Sequence, residues 1–560
     1  MRGLTFAGER GGFPLPMLSA PKAARRPLPA PGIRRRPPAW TAVTVAAVLL
    51  AGCSDGPADG TGTDERSPAA TATRSYPPSS PPVTIPAVRK FESGRGPGWR
   101  PGSGSRVVAD PDGPLADEAR TVAAELDLPR HDGPARRGDL ELAIDREQKG
   151  GAEAYRLTTR DGRVRITGST DAGVFYGTRT VLQVLRTEGT VPEGTVDDRP
   201  DRAQRGLMLD IARKHFTPEW IEARIREIAD LKFNQLGLHF SDDQGFRIES
   251  DSHPEIVSEQ HLTKKQLRRI LDLAERLHVT VIPEIDSPGH LGAVLRAHPD
   301  LQLRNAQGVP VRGAIDITKP RSAELVDDLL REYSGVFPGR YFHLGADEYR
   351  ALMAENPEAA YPGLAAQARR DYGSAGRVQD LATAWLNDRA ETVRKEGKRP
   401  KAWNDGFFSG GSVRPDEDIE VEYWTGKEIG ARPPAEYLRE GRKLVNLNDE
   451  YLYYVLGEPN QFTYPTGERI YKSWTPAVLR GTEPVPAALS GPDRVLGGRL
   501  AVWCDLAGAQ TEAQVATGIR MPLRAVAQKL WDPRKPSASW TEFRKLADRL
   551  EAEREERPGG

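Results

Sequence analysis

The chain has 560 residues with 79 basic and 79 acidic side chains, so no global charge points to nucleic acid as a partner. That length calls for more than one domain, and 38% hydrophobic content diluted by 55 glycines and 47 prolines concentrates the core in part of the chain. Two cysteines, Cys53 and Cys504, exclude a disulfide scaffold.

The first 53 residues read as a secretory signal. Lys22, Arg25, Arg26 and Arg34 to Arg36 form a basic cluster, residues 40–50 are apolar, and Leu50-Ala51-Gly52-Cys53 follows directly. The apolar run is too short to span a bilayer as a helix. Its ending resembles the bacterial lipobox. That resemblance implies lipidation of Cys53 and a secreted chain anchored on the outer face of a bacterial cell membrane. Residues 54–85, rich in Ser, Thr, Pro, Gly and Asp, cannot bury enough apolar surface to offset chain entropy, and are expected to form a disordered tether.

Residues 86–200 predict a small α+β domain. Strand patterns fall at 107–109, 140–144 and 163–168, and helical spacing at 115–126 and 172–184. No cluster of acids, histidines or cysteines stands out there, so its expected role is packing.

After Asp201 an apolar strand, a polar tip and an amphipathic helix repeat in turn. Strands are expected at 207–211, 235–240, 280–285, 341–345, 400–404, 419–424, 443–447 and 499–503, with helices at 218–231, 264–277, 322–333 and 379–396. Alternating strands and helices argue for a parallel sheet, and eight units over residues 201–535 fit a (β/α)8 barrel. The fold class is therefore α/β, a TIM barrel preceded by the small α+β domain. The long gaps 286–340 and 350–398 predict extra loops around the barrel mouth. Residues 536–560 read as an outer amphipathic helix and tail.

The strand tips carry the chemistry. In order they hold Asp210 with Arg213; Ser241-Asp242-Asp243-Gln244; Glu284, Asp286 and His290; Asp347-Glu348; Trp403-Asn404-Asp405; Trp424; Tyr451 and Tyr453; and Trp503 with Asp505. A lone Asp-Glu pair in a chain that is 28% charged is usually solvated. Here the pair ends a barrel strand, where such folds place catalytic acids. Adjacent acids repel, so one is expected to hold its proton more tightly than the other. Acids for hydroxyls beside aromatic faces make a carbohydrate pocket. His290 and His343 lack metal-ligand spacing, and no Gly-rich phosphate loop follows a strand, so neither metal nor cofactor is expected.

His343-x-Gly345-Ala346-Asp347-Glu348 resembles the signature of glycoside hydrolase family 20, the β-N-acetylhexosaminidases. Residues 205–213, Asp242-Asp243-Gln244 and residues 283–290 resemble further blocks of that family. The resemblance implies substrate-assisted catalysis, an exception to the two-carboxylate scheme, in which the sugar's own 2-acetamido group is the nucleophile. It implies Glu348 as general acid and base, and Asp347 as the group holding the acetamido N–H. Arg213 and Asp505 would bind outer hydroxyls, and Asp242 and His290 would support the acids. Trp403, Trp424 and Trp503 would wall the sugar, and Tyr451 would donate to the acetamide oxygen. Tyr453 stands where many members carry an acid or amide, and Asp505 where many carry Glu, so substrate preference stays open. The expected partner is a glycan with a terminal N-acetylhexosamine. Alternatives are a lacto-N-biosidase-like or dispersin-like member, or a non-catalytic glycan-binding lipoprotein.

Overall fold

The computed structural model describes residues 75–427 and 431–555. The signal segment with Cys53, and the tether up to residue 74, lie outside the described residues.

Eight parallel strands close into a barrel: β1 Gln204–Asp210, β2 Gln235–His239, β3 Thr280–Glu284, β4 Tyr341–His343, β5 Arg399–Trp403, β6 Glu420–Tyr423, β7 Leu444–Asn446 and β8 Val495–Trp503. Neighbours pair in chain order, and β8 closes on β1 with Leu500 opposite Leu207. Both faces of such strands are covered, so β1 and β2 are buried along their whole length. The expected helices lie between them as Pro218–Asp230, Lys264–Arg276, Pro320–Val336 and Val378–Lys395.

The closure at β8 is asymmetric. Only the start of β8 pairs with β7, which is three residues long. A ninth short strand, Tyr453–Val455, runs parallel to the end of β8 with Tyr453 opposite Ala501. It continues the wall toward the mouth, and its alternation turns Tyr453 and Val455 to the same side.

The barrel interior departs from the usual layers of branched aliphatics. Ion pairs stack along it instead. Near the base Lys401 Nζ lies 2.7 Å from Glu420 Oε2 and 2.9 Å from Gln204 Oε1. Midway, Arg499 lies 2.5 Å from Glu422 and donates to Gln235 at 2.8 Å. Buried charge is tolerated because each ion has a partner.

The N-terminal domain holds a seven-stranded sheet. Its helix Asp171–Glu188 is capped by Thr170, stopped by Gly189 in the left-handed region, and twelve of its residues are buried. Arg205 of β1 crosses to Glu153 at 2.7 Å, and Tyr176 packs edge-on against Trp531 of the barrel. One apolar core runs through both parts. The ordered packing starts before residue 86. Thr84 and Ile85 are buried, and the Ile85 N–H donates to Gln183 at 2.7 Å. The expected tether is therefore too long at its end: this short apolar anchor is hidden in a Pro- and Ser-rich context. The last helix, Trp540–Glu555, buries Phe543, Leu546, Ala547 and Leu550 against its neighbours.

Candidate active site

The acid pair is set by a turn that few residues adopt. After β4, Gly345, Ala346 and Glu348 have φ of 69, 76 and 45°. Left-handed backbone is costly for residues with a Cβ, and persists where the surroundings hold it. Here two carboxylates hold it. The Ala346 N–H donates to Asp286 Oδ1 and the Glu348 N–H donates to Asp405 Oδ2, each at 3.0 Å. Gly345 is required, because a Cβ there would overlap the Asp286 carboxylate.

His290 stands between the acids. Its Nε2 lies 3.4 Å from Glu348 Oε2 and 3.7 Å from Asp347 Oδ2. Its Nδ1 lies 3.4 Å from Asp242, which also takes Arg213 Nη2 at 2.7 Å and His239 Nε2 at 2.9 Å. Arg213 is held from its other side by Asp210 at 3.0 Å. Below, His239 Nδ1 faces Glu284 at 3.2 Å, which accepts the Trp403 Nε1–H at 2.7 Å. The polar column of the barrel thus reaches the acid pair.

These contacts set the charges. Burial would lower the His290 pKa, but Asp242, Asp286 and Asp347 together raise it well above the usual histidine range. The hydrogen bond from His290 lowers Glu348. Burial raises Asp347 well above the carboxylate range, and the neighbouring Asp286 adds to the rise. Burial likewise raises Asp286, and it pushes Asp405 up to about 7. One acid of the pair does hold its proton more tightly. In the free protein it is Asp347, not the expected general acid Glu348, because His290 faces Glu348 while Asp347 sits against another carboxyl.

The acids floor a cavity of about 680 Å³, within the range of small-molecule sites. Trp403, Trp424, Tyr453 and Trp503 wall it, with Arg213 and Asp505 on the same lining. Trp424 and Tyr453 lie parallel with ring centres 5.7 Å apart, and the Trp424 Nε1–H donates to Asp405 at 3.0 Å. Arg213 lies over the Trp503 ring at 5.2 Å.

Ten of the eleven expected catalytic and sugar-contacting residues gather here, Asp242 from behind His290. Tyr451 does not. It sits in the short helix Asp449–Leu452, is buried, and has Arg469 over its ring at 4.3 Å. Tyr453, which begins the next short strand, lines the pocket instead. Asp286 and Asp405 were visible at strand tips without an assigned task. Lys427, Asn460, Gln461 and Phe462 line the rim with no motif to mark them.

Asp286, His290 and Asp347 offer ligand atoms within 4.8 Å of one another.

The family model described as glycosyl hydrolase family 20, catalytic domain, matches residues 203–534, and the one described as domain 2 matches residues 81–199. The chain belongs to glycosyl hydrolase family 20. It is 30% identical to a lacto-N-biosidase of Bifidobacterium bifidum, over 84% of this chain and 41% of that protein. It is 26% identical to a beta-hexosaminidase of Vibrio furnissii, over 64% of this chain and 62% of that one. The chain thus spans roughly four to six tenths of these curated relatives. Among solved structures, the GH20 beta-N-acetylhexosaminidase of Streptomyces coelicolor A3(2) superposes with a TM-score of 0.69 at 25% identity, covering 86% of this chain and 97% of that one. A mutant Streptomyces plicatus beta-hexosaminidase holding its product GlcNAc has the same score, identity and coverage. The matched catalytic-domain residues include the acid pair at the barrel mouth.

Proposed function

We propose that this glycoside hydrolase is a retaining exo-β-N-acetylhexosaminidase acting on terminal, non-reducing β-linked GlcNAc or GalNAc. The observation that carries the reading is His290 Nε2 within 3.7 Å of both Asp347 and Glu348 on the floor of an aromatic-walled pocket.

The proposed chemistry starts from a sugar seated against Trp403, Trp424 and Trp503. Its acetamido N–H donates to Asp347, which favours the ionised carboxylate. The proton released there has a path through His290 to Glu348, whose half-buried carboxyl is desolvated by the arriving sugar. Glu348 then protonates the glycosidic oxygen while the acetamide oxygen attacks the anomeric carbon and the bond to the leaving group breaks. Ionised Asp347 stabilises the cationic oxazolinium ring. The Tyr453 hydroxyl orients the acetamide oxygen in place of Tyr451. Glu348, now a base, takes a proton from water, which opens the ring with net retention.

The test is release of nitrophenol from its β-N-acetylglucosaminide beside the matching β-glucoside. Only the acetamido sugar should be cleaved. Glu348→Gln should lower kcat by about 10² to 10⁴ on substrates with poor leaving groups, the usual worth of a general acid. Equal cleavage of both sugars, or an unaffected variant, overturns the reading.

A second reading, release of a disaccharide ending in GlcNAc, is favoured by Asp505, whose short side chain lines a cavity of about 680 Å³. The lacto-N-biosidase relative supports it. Mass analysis of the released sugar separates the two. We further propose, on the Leu50–Cys53 segment, that the chain is lipid-anchored at Cys53 outside a bacterial cell. Cys53→Ala should shift the protein from the membrane fraction to the medium.

A further inference from the structure

Away from the mouth, three side chains converge on one point. His253 precedes the short turn Pro254–Ile256, which carries Glu255, and His298 ends the helix Gly292–Ala297. One oxygen, Glu255 Oε1, lies 3.0 Å from His253 Nδ1 and 2.9 Å from His298 Nε2. The three ligand atoms all fall within 4.8 Å of one another. The two imidazole rings stand at 89° with centres 6.0 Å apart, so they approach the carboxylate from different directions.

We propose that His253, Glu255 and His298 form a binding site for a divalent transition-metal ion, with zinc the best fit. Zinc takes imidazole nitrogen and carboxylate oxygen at about 2.0–2.2 Å, which places neighbouring ligand atoms about 3 Å apart. The two nitrogen–oxygen separations, 3.0 and 2.9 Å, already match that spacing. Two nitrogens and one oxygen favour zinc and its neighbours over magnesium or calcium, which prefer oxygen alone.

The surroundings are those of a metal-bound histidine. Such a ligand turns its second ring nitrogen toward a carboxylate. His253 Nε2 lies 3.8 Å from Asp328 Oδ2, and this buried nitrogen has no hydrogen-bond partner among the described residues. Both imidazoles are only 16% exposed, whereas Glu255 remains open to arriving ions at 44%. The loop is also pre-set. The His253 N–H donates to Ser250 Oγ at 3.1 Å, and Glu332 accepts from that same hydroxyl at 2.7 Å. Forty-five positions separate His253 from His298, so no ligand spacing in the sequence marks the site.

An ion here fastens the loop after β2 to the helix that begins two residues beyond His290. The site is structural: it braces the segment that carries the imidazole of the acid pair.

The test is zinc titration of the full-length, chelator-treated protein by calorimetry, with thermal unfolding in parallel. One zinc per chain is expected, with a raised unfolding midpoint and no such rise from magnesium at the same concentration. His253→Asn and His298→Asn should each lose the binding and the rise. Their turnover in metal-free buffer reports that they remain folded. Asp347→Asn should keep the zinc, which separates this site from the acid pair. Absence of binding, binding that survives both histidine variants, loss in Asp347→Asn, or equal stabilisation by magnesium overturns the proposal.

Discussion

At the scale of single residues, the pocket's electrostatics turn on where one proton rests. Asp347 is raised first by burial and then by Asp286, while Glu348 is lowered first by its hydrogen bond to His290. The proposed reaction needs the reverse arrangement once substrate is bound. In the free enzyme, which governs kcat/KM, Asp347 must first ionise. Activity is then lost as pH falls through the raised pKa of the Asp286–Asp347 pair, so the acid limb should lie above the ordinary carboxylate range near 4. Asp286→Asn keeps the oxygen that accepts the Ala346 N–H but removes the like charge. Its kcat/KM profile should shift its acid limb to lower pH. A limb that stays in place would assign the rise to burial alone. The acids, His290, Arg213 and the tryptophans were legible in the sequence because they follow apolar strands at short, fixed distances. Tyr451 and Tyr453 were not separable that way, since a helical turn between two loops decides which ring faces inward. The excess of proton affinity at Asp347 was also hidden: it depends on Asp286, 61 positions away in the chain.

At the scale of elements, the barrel strands were legible as short, mostly apolar runs ending in polar tips between amphipathic helices, even where β5 and β6 carry the interior charges Lys401, Glu420 and Glu422. The domain before the barrel was read less fully. Its strands Tyr155–Arg160 and Gly194–Asp198 were missed. The first alternates buried and exposed residues, so half of it is polar, and the second has only one apolar side chain. Their pairing, with Leu157 opposite both Ile166 and Val196, comes from tertiary packing rather than local propensity. The turn after β4 is the element most exposed to test. Gly345→Ala adds a Cβ at φ 69°, where it meets the Asp286 carboxylate. Strain of this kind costs about 1–3 kcal/mol. Denaturant unfolding should show a loss of that order. Turnover should fall further than stability predicts, because relief of the overlap moves Asp286 and with it the N–H contact that shapes the turn. A variant with reduced stability but unchanged kcat/KM would mean the turn tolerates the displacement.

At the scale of the molecule, the N-terminal domain and the barrel share buried charge as well as apolar surface. Arg205, on the first barrel strand, has a side chain only 1% exposed and reaches Glu153 across the boundary. It also lies 5.4 Å over the Trp531 ring. Lys232, fully buried, donates to Tyr155 at 3.0 Å and Thr180 at 2.8 Å, and burial lowers its pKa to about 8 even beside Asp198. Charges held this way make the two parts depend on each other, because neither could expose one partner without stranding the other. The expected consequence is one cooperative unfolding transition for residues 75–555, not two. Glu153→Ala should test it. Removing one member of a buried pair costs several kcal/mol, and with Glu153 21% exposed the loss should be about 3 kcal/mol. Calorimetry should show the whole transition moving to lower temperature as a single peak. A second peak, with the barrel's own midpoint unchanged, would mean the N-terminal domain merely rests against the barrel, and that Arg205 is satisfied without Glu153 by the Trp531 face and by the Lys232 and Arg202 carbonyls, to which it donates at 2.9 and 2.7 Å.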